Sequence, residues 1–190
     1  YEQITDPGHG THVIGTICAP SLKPGRFGGL ASGAKIIPIL SLNNRHVATN
    51  VENLKNYKAA FQYAVDSEAK IINISQEVPC LDPIKEIIKD GVKKGKIFVV
   101  AAGNYGVSKT NKPNYNVDDS VVGLLAADED IKPGFVVVGA LSRFSGKTES
   151  PYSTTGFEYN RWSYNNGFAG SDYYSKNFSG NFIWAPGEDI

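Results

Sequence analysis

Dense apolar runs alternate along the chain with stretches where apolar side chains recur at helical spacing. Residues 35–42, 69–74, 97–102 and 135–141 are rich in Ile, Leu, Val, Phe and Ala, and turn-forming residues bound them. Short runs of this kind predict strands buried on both faces. Between them, Val51, Leu54, Tyr57, Phe61, Ala64 and Val65 recur as one side of an amphipathic helix. Ile84, Ile87, Ile88 and Val92 make a second stripe, with Asp82 read as N-cap, Pro83 at the first helical position and Gly95 as the stop. A short helix is expected over 11–18, with Val13, Ile14 and Ile17 on its apolar side, and a Gly/Pro-rich loop over 19–33.

Strand and helix in alternation predict an α/β domain: a mostly parallel sheet in layers, with helices on both faces and right-handed crossovers. Functional groups in such sheets collect where the strands end, at their carboxyl edge. Ser41, Ser75 and Asn104 follow three of the expected strands. Beyond Leu141 the periodicity fades. Residues 142–179 are rich in Tyr, Phe, Trp, Asn, Ser and Gly, and are read as an ordered surface insertion. No internal repeat is visible.

Composition narrows the function classes. The 190 residues suit one domain, and 41% are hydrophobic, enough for a substantial core. With 19 basic and 19 acidic residues, nothing favours nucleic acid or an anionic membrane. No apolar run reaches the roughly 18 residues that suggest a membrane helix. No leader pattern stands at the start, and because the sequence contains no methionine at all, a processed or partial chain is expected. Two cysteines, Cys18 and Cys80, are too few for a disulfide scaffold or a thiolate zinc site, and could pair or stay free. No glycine-rich loop joins a strand to a helix, which disfavours a nucleotide-binding domain.

Two positions carry candidate chemistry. His9 lies between glycines ahead of the helix expected at 11–18. A helix N-terminus disfavours added positive charge, so an imidazole there stays neutral and basic, as a general base requires. Taken alone, His9-Gly10-Thr11-His12 also fits a pair of surface or structural histidines. A metal pair formed by His9 and His12 is a third reading, although no Asp, Glu or Cys cluster nearby completes it. Asn104 leaves the buried run ending at Ala102. Its amide could donate into the crevice at the sheet's edge, as an oxyanion donor must, or simply serve a Gly-Asn turn.

Together the two segments resemble a known family. Gly8-His9-Gly10-Thr11-His12-Val13-Ile14-Gly15-Thr16 resembles the histidine motif of the subtilisin-like serine peptidases, and Val100-Ala101-Ala102-Gly103-Asn104 resembles their oxyanion motif. Gly29-Leu30-Ala31-Ser32-Gly33-Ala34, Ile72-Asn73-Ile74-Ser75 and Ala185-Pro186-Gly187 match further family segments in the family's order. The resemblance implies a three-layer subtilisin-like fold across residues 1–190 and a serine endopeptidase acting on protein or peptide substrates. It implies His9 as general base, Asn104 as oxyanion donor, and Ser75, Gln76 and Glu77 as the edge that pairs with the substrate backbone. Secretion to the cell exterior is the default it suggests.

The sequence also departs from the family pattern. The family order is Asp, His, Ser; Asp6 stands too close to His9 for the aspartate motif, and Thr154-Thr155-Gly156 is not a nucleophile motif. The aspartate and serine motifs are therefore expected outside residues 1–190, the remaining segments of the domain become possible partners, and the 190-residue chain alone is expected to be inactive. Gln76-Glu77 replace small residues, so Glu77 either lines the primary specificity pocket and favours basic substrates or points to solvent. The loop 20–28 lacks the carbonyl-and-Asn pattern of the family's tight calcium site, which is expected to be absent or altered; no other metal is expected. A non-catalytic relative that kept the fold as a binding or structural module is the alternative reading.

Overall fold

The computed structural model describes residues 8–21, 28–41, 51–76, 78, 81–103, 117–141 and 177–186. Two compact units divide the chain, residues 1–64 and 65–190.

The first unit holds α1 (His9–Cys18) and most of α2 (Val51–Asp66). α1 begins two residues earlier than the sequence suggests, because the amide of His12 donates to the Gly8 carbonyl at 2.8 Å and draws the Gly-His-Gly segment into the first turn. Its far end is tied back by the chain that follows. The amides of Ala19, Leu30 and Ala31 donate to the carbonyls of Gly15, Thr16 and Ile17, which the helix itself leaves without donor partners. A Cβ on Gly29 would fall 2.3 Å from the Cys18 amide nitrogen, so only glycine lets the backbone pass there. Cys18 carries a free thiol. On α2 the expected apolar side is realised: Tyr57, Phe61, Ala64 and Val65 are buried, with the Tyr57 and Phe61 rings 6.2 Å apart.

The strand expected over 35–42 does not form among the described residues 35–41. Ile36, Ile37 and Ile39 remain partly exposed, and Leu40 is 81% exposed. An apolar run becomes a buried parallel strand only when a ladder partner and covering helices are present, and composition alone supplies neither.

The second unit contains β1 (Ile71–Ile74), α3 (Asp82–Lys93), β2 (Ile97–Ala101), α4 (Val121–Ala127), β3 (Phe135–Leu141) and β4 (Asn181–Pro186). All three pairings are parallel, in the order β1-β2-β3-β4. Their register aligns Ile72 with Phe98, Phe98 with Phe135, and Val137 with Phe182. Side chains alternate between faces along a strand. One face therefore carries Ile74, Phe98, Val100, Phe135 and Val137, all buried, with the Phe98 and Phe135 rings stacked 6.2 Å apart. The other face carries Ile71, Ile97 and Ile183, which are 63%, 44% and 51% exposed.

α3 buries Ile84, Ile87 and Ile88 as expected, and Val92 is half-buried. Its N-cap is Leu81 rather than Asp82: the Leu81 carbonyl accepts from the amides of Ile84 and Lys85, so Asp82 is already helical. Asp82 still places a carboxylate in the first turn, where the helix dipole favours it. The far end closes as expected at Gly95, with φ +77°. The amide of Gly95 donates to the Val92 carbonyl and that of Lys96 to the Gly91 carbonyl, a Schellman termination.

α4 and β4 are not evident from the sequence pattern. α4 is capped by Ser120, whose hydroxyl accepts from the Gly123 amide at 3.0 Å. Its seven residues are too few and too uniformly apolar to show a helical stripe. In β4 the β-favouring Phe182-Ile183-Trp184 is masked by the Ala185-Pro186-Gly187 turn signal that follows it. The insertion expected over 142–179 lies outside the described residues except for 177–179.

Polar anchors fix the strand starts. Lys96, largely buried ahead of β2, donates to the carbonyls of Ser67 and, at 2.7 Å, Ala69. Asn181 donates from Nδ2 to the carbonyls of Lys132 and Phe135, joining the start of β4 to that of β3. Lys85 and Lys89 of α3 reach Asp128 at 2.8 and 3.4 Å, and Lys89 also meets Asp130 at 3.1 Å.

The hydrogen bond from Lys85 holds the Asp128 carboxyl below its ordinary range, helped by the Asp130 amide and Lys89 and opposed by burial. A carboxyl whose folded pKa is depressed adds stability above its unfolded pKa of about 3.9, and that stability is lost as pH falls through the folded value. Asp128→Asn should therefore lower the urea midpoint at pH 7, while the gap from wild type closes toward pH 2. A gap that persists in acid would assign the effect to packing.

Candidate active site

Because the four strands are parallel, their carboxyl ends form one edge of the second unit. Ser75 and Gln76 leave β1 there, both half-buried. Asn73, on the exposed face of β1, donates from Nδ2 to the Ser75 hydroxyl at 2.9 Å. At the end of β2 the Ala102 amide donates to the Val138 carbonyl, carrying the ladder to the last residue before the turn. Gly103 follows with φ +116°, a conformation that glycine adopts readily and other residues rarely do. The strand thus ends abruptly, one residue ahead of Asn104.

In the first unit His9 is the first residue of α1 and is exposed. It lies within the first turn rather than ahead of the helix. The segment 29–31, matched to the family separately from the histidine motif, is the chain that satisfies the carbonyls at the far end of this same helix. Ser41 is half-buried. Asn104, Glu77 and most of the loop 20–28 lie outside the described residues. Among the described residues no group of three His, Cys, Asp or Glu side chains could hold a metal ion, and no helix is long and apolar enough to cross a membrane.

Asn73 has no separate role in the motifs read from the sequence. Its signal is nevertheless present there: a single amide side chain in Ile71-Ile72-Asn73-Ile74, a strand that is otherwise entirely β-branched.

A parallel α/β sheet with these motifs in this order defines the class, and comparison with known families agrees: residues 1–169 match the model of the subtilase family, to which the chain belongs. The family is one of serine peptidases. The chain is 30% identical to the thermophilic serine proteinase of Bacillus sp. (strain AK1) over 131 residues, covering 68% of this chain and 31% of the relative. It is 37% identical to the major intracellular serine protease of Bacillus subtilis (strain 168) over 100 residues, covering 52% of this chain and 30% of the relative. Subtilisin DY of Bacillus licheniformis is 31% identical over 151 residues, 77% of this chain and 53% of the relative. The matched region thus spans between about a third and a half of these relatives.

The turn at Gly103 gives a direct test of the edge geometry. Gly103→Ala should destabilise the protein by about 1–3 kcal/mol, the scale of a strained backbone position. Gly33→Ala, where a Cβ would meet nothing within 4 Å, should change stability by less than about 0.5 kcal/mol. Denaturant midpoints compare the two; equal effects would show that the conformation at 103 is not what demands glycine.

Proposed function

We propose that the protein is a serine endopeptidase of the Asp-His-Ser type, with His9 as its general base and Asn104 as its oxyanion donor. His9 takes the proton of a serine hydroxyl as that oxygen bonds to the peptide carbonyl carbon. The same proton then passes to the leaving amine as the C–N bond breaks, giving an acyl-enzyme that water hydrolyses by the reverse proton transfers. Asn104 donates a hydrogen bond to the carbonyl oxygen as it gains negative charge. Ser75, Gln76 and Glu77 form the edge along which the substrate backbone lies, in the manner of an added strand. The serine and the orienting aspartate are not supplied by any motif within residues 1–190, so this stretch alone should not turn over peptides.

The observation that carries the reading is the pairing of two family segments: the histidine motif forms α1, and residues 29–31 close its far end. A helix held at that end is a rigid support for an imidazole at its first turn. The relatives' names point to different locations, one intracellular and one cell-wall-associated; the extracellular assignment rests on the resemblance alone.

The test is active-site labelling of the intact protein with a fluorophosphonate, followed by turnover of a peptide substrate. Labelling at a serine outside residues 1–190 is expected, and His9→Ala should reduce kcat by at least about 10⁴-fold with the fold retained. An intact protein that binds peptides but neither labels nor cleaves would instead be a non-catalytic module.

Glu77 either points to solvent or borders the pocket for the residue before the cleaved bond, where it would favour Lys or Arg through charge-assisted hydrogen bonding. In the second case, cleavage profiles of the intact protein should show a basic preference that Glu77→Gly abolishes. A profile indifferent to basic residues, or unchanged by the substitution, places the carboxylate in solvent.

A further inference from the structure

We propose that Gly29 is a positioning residue for His9: it lets residues 28–31 close over the last turn of α1, which keeps that helix wound and the imidazole at its first turn placed for proton transfer; this rests on the general-base reading of His9. α1 has little of its own to hold it. Two glycines and five β-branched residues stand among its ten, all low in helix propensity. A helix this short is marginal in water even when its sequence is favourable. No side chain caps its start, no acidic residue stands in its first turn, and no residue in it is fully buried.

The later chain supplies the support at the far end. The amides of Ala19, Leu30 and Ala31 donate to the carbonyls of Gly15, Thr16 and Ile17 at 3.0, 3.2 and 2.7 Å, and the Gly29 amide donates to the Ala19 carbonyl at 2.8 Å. Gly29 is the crossing point. A Cβ there would lie 2.3 Å from the Cys18 nitrogen and 2.5 Å from the Ile17 carbonyl carbon. Both are backbone atoms, so no change of rotamer relieves the clash. Any larger residue at 29 therefore pushes the segment off α1 and removes the donors from its last carbonyls. The effect reaches the first turn because winding is cooperative and α1 is only about three turns long. His9 acts from that first turn, so its placement depends on a residue it does not touch.

The experiment uses the intact protein and a peptide substrate, with Gly29→Ala, Gly33→Ala, His9→Ala and the His9→Ala/Gly29→Ala double variant. Gly29→Ala is expected to lower kcat by about 10²-fold, the scale of a misplaced catalytic group. KM should stay within about twofold, because peptide binding is assigned to residues 75–77 and not to α1. The double variant should be no slower than His9→Ala within about twofold, since an absent imidazole cannot be misplaced further. The amides of α1 should lose hydrogen-exchange protection in Gly29→Ala while those of β2 keep theirs. Gly33→Ala, whose Cβ would meet nothing within 4 Å, should match wild type throughout. If Gly29→Ala does not fold, Leu30→Pro takes its place: Leu30 is 98% exposed, and proline removes the donor to the Thr16 carbonyl without adding a Cβ at 29. The same split of kcat from KM is expected there. Unchanged kcat, a loss shared with KM, a further loss in the double variant, or retained protection of α1 would overturn the positioning role while leaving the peptidase reading intact. Absence of turnover in the intact wild-type protein would overturn both.

Discussion

β2 pairs parallel with β1 on one side and with β3 on the other, and its Phe98 and Val100 are fully buried on the covered face. This pairing is the constraint on which the rest of the second unit depends. Parallel strands cannot be joined by tight turns, so each connection must cross back over the sheet. α3 does so between β1 and β2, and three local features suit it to that crossing. It has a proline near its start, a buried isoleucine stripe and a Schellman termination. The direction of the ladder then delivers every strand's carboxyl end to one edge. Ser75 and Gly103 share that edge because their strands point the same way.

Electrostatics in this unit serves placement more than net stability. The ammonium of Lys96 satisfies two carbonyls in the turn before β1, and the Asn181 amide satisfies two at the start of β3. Backbone carbonyls shielded from water need partners, and these side chains supply them where the strands begin. The Lys85, Lys89, Asp128 and Asp130 cluster is more exposed and individually weak, but it links α3 to the turn that leads into β3. Ser75 and Gly103, at the opposite edge, therefore follow strands whose starts are tied down.

The first unit follows a different rule. α1 has no side-chain N-cap and no acidic residue in its first turn. Its definition comes from the far end, where a later segment of chain approaches closely enough to require Gly29. Such an arrangement leaves the glycine-flanked end, with His9, approachable.

Much of this was legible in the sequence, because helical spacing and apolar density report the covered side of each element directly. Val51 to Val65 and the Ile84-Ile87-Ile88 stripe carry helical periodicity, and the run 135–141 carries continuous apolar density. The family motifs were legible too, since glycine, histidine and asparagine in fixed order reflect backbone and chemical needs rather than packing. What the sequence could not determine is whatever requires a partner distant along the chain. The apolar run 35–41 reads as a strand but takes no ladder partner among the described residues, and β4 becomes a strand only against β3. Leu81 displaced Asp82 as N-cap because carbonyl geometry, not residue preference, decides where a helix begins. Asn73 is an oddity in one dimension; only the folded strand, which puts alternate residues on one face, brings its amide to the Ser75 hydroxyl.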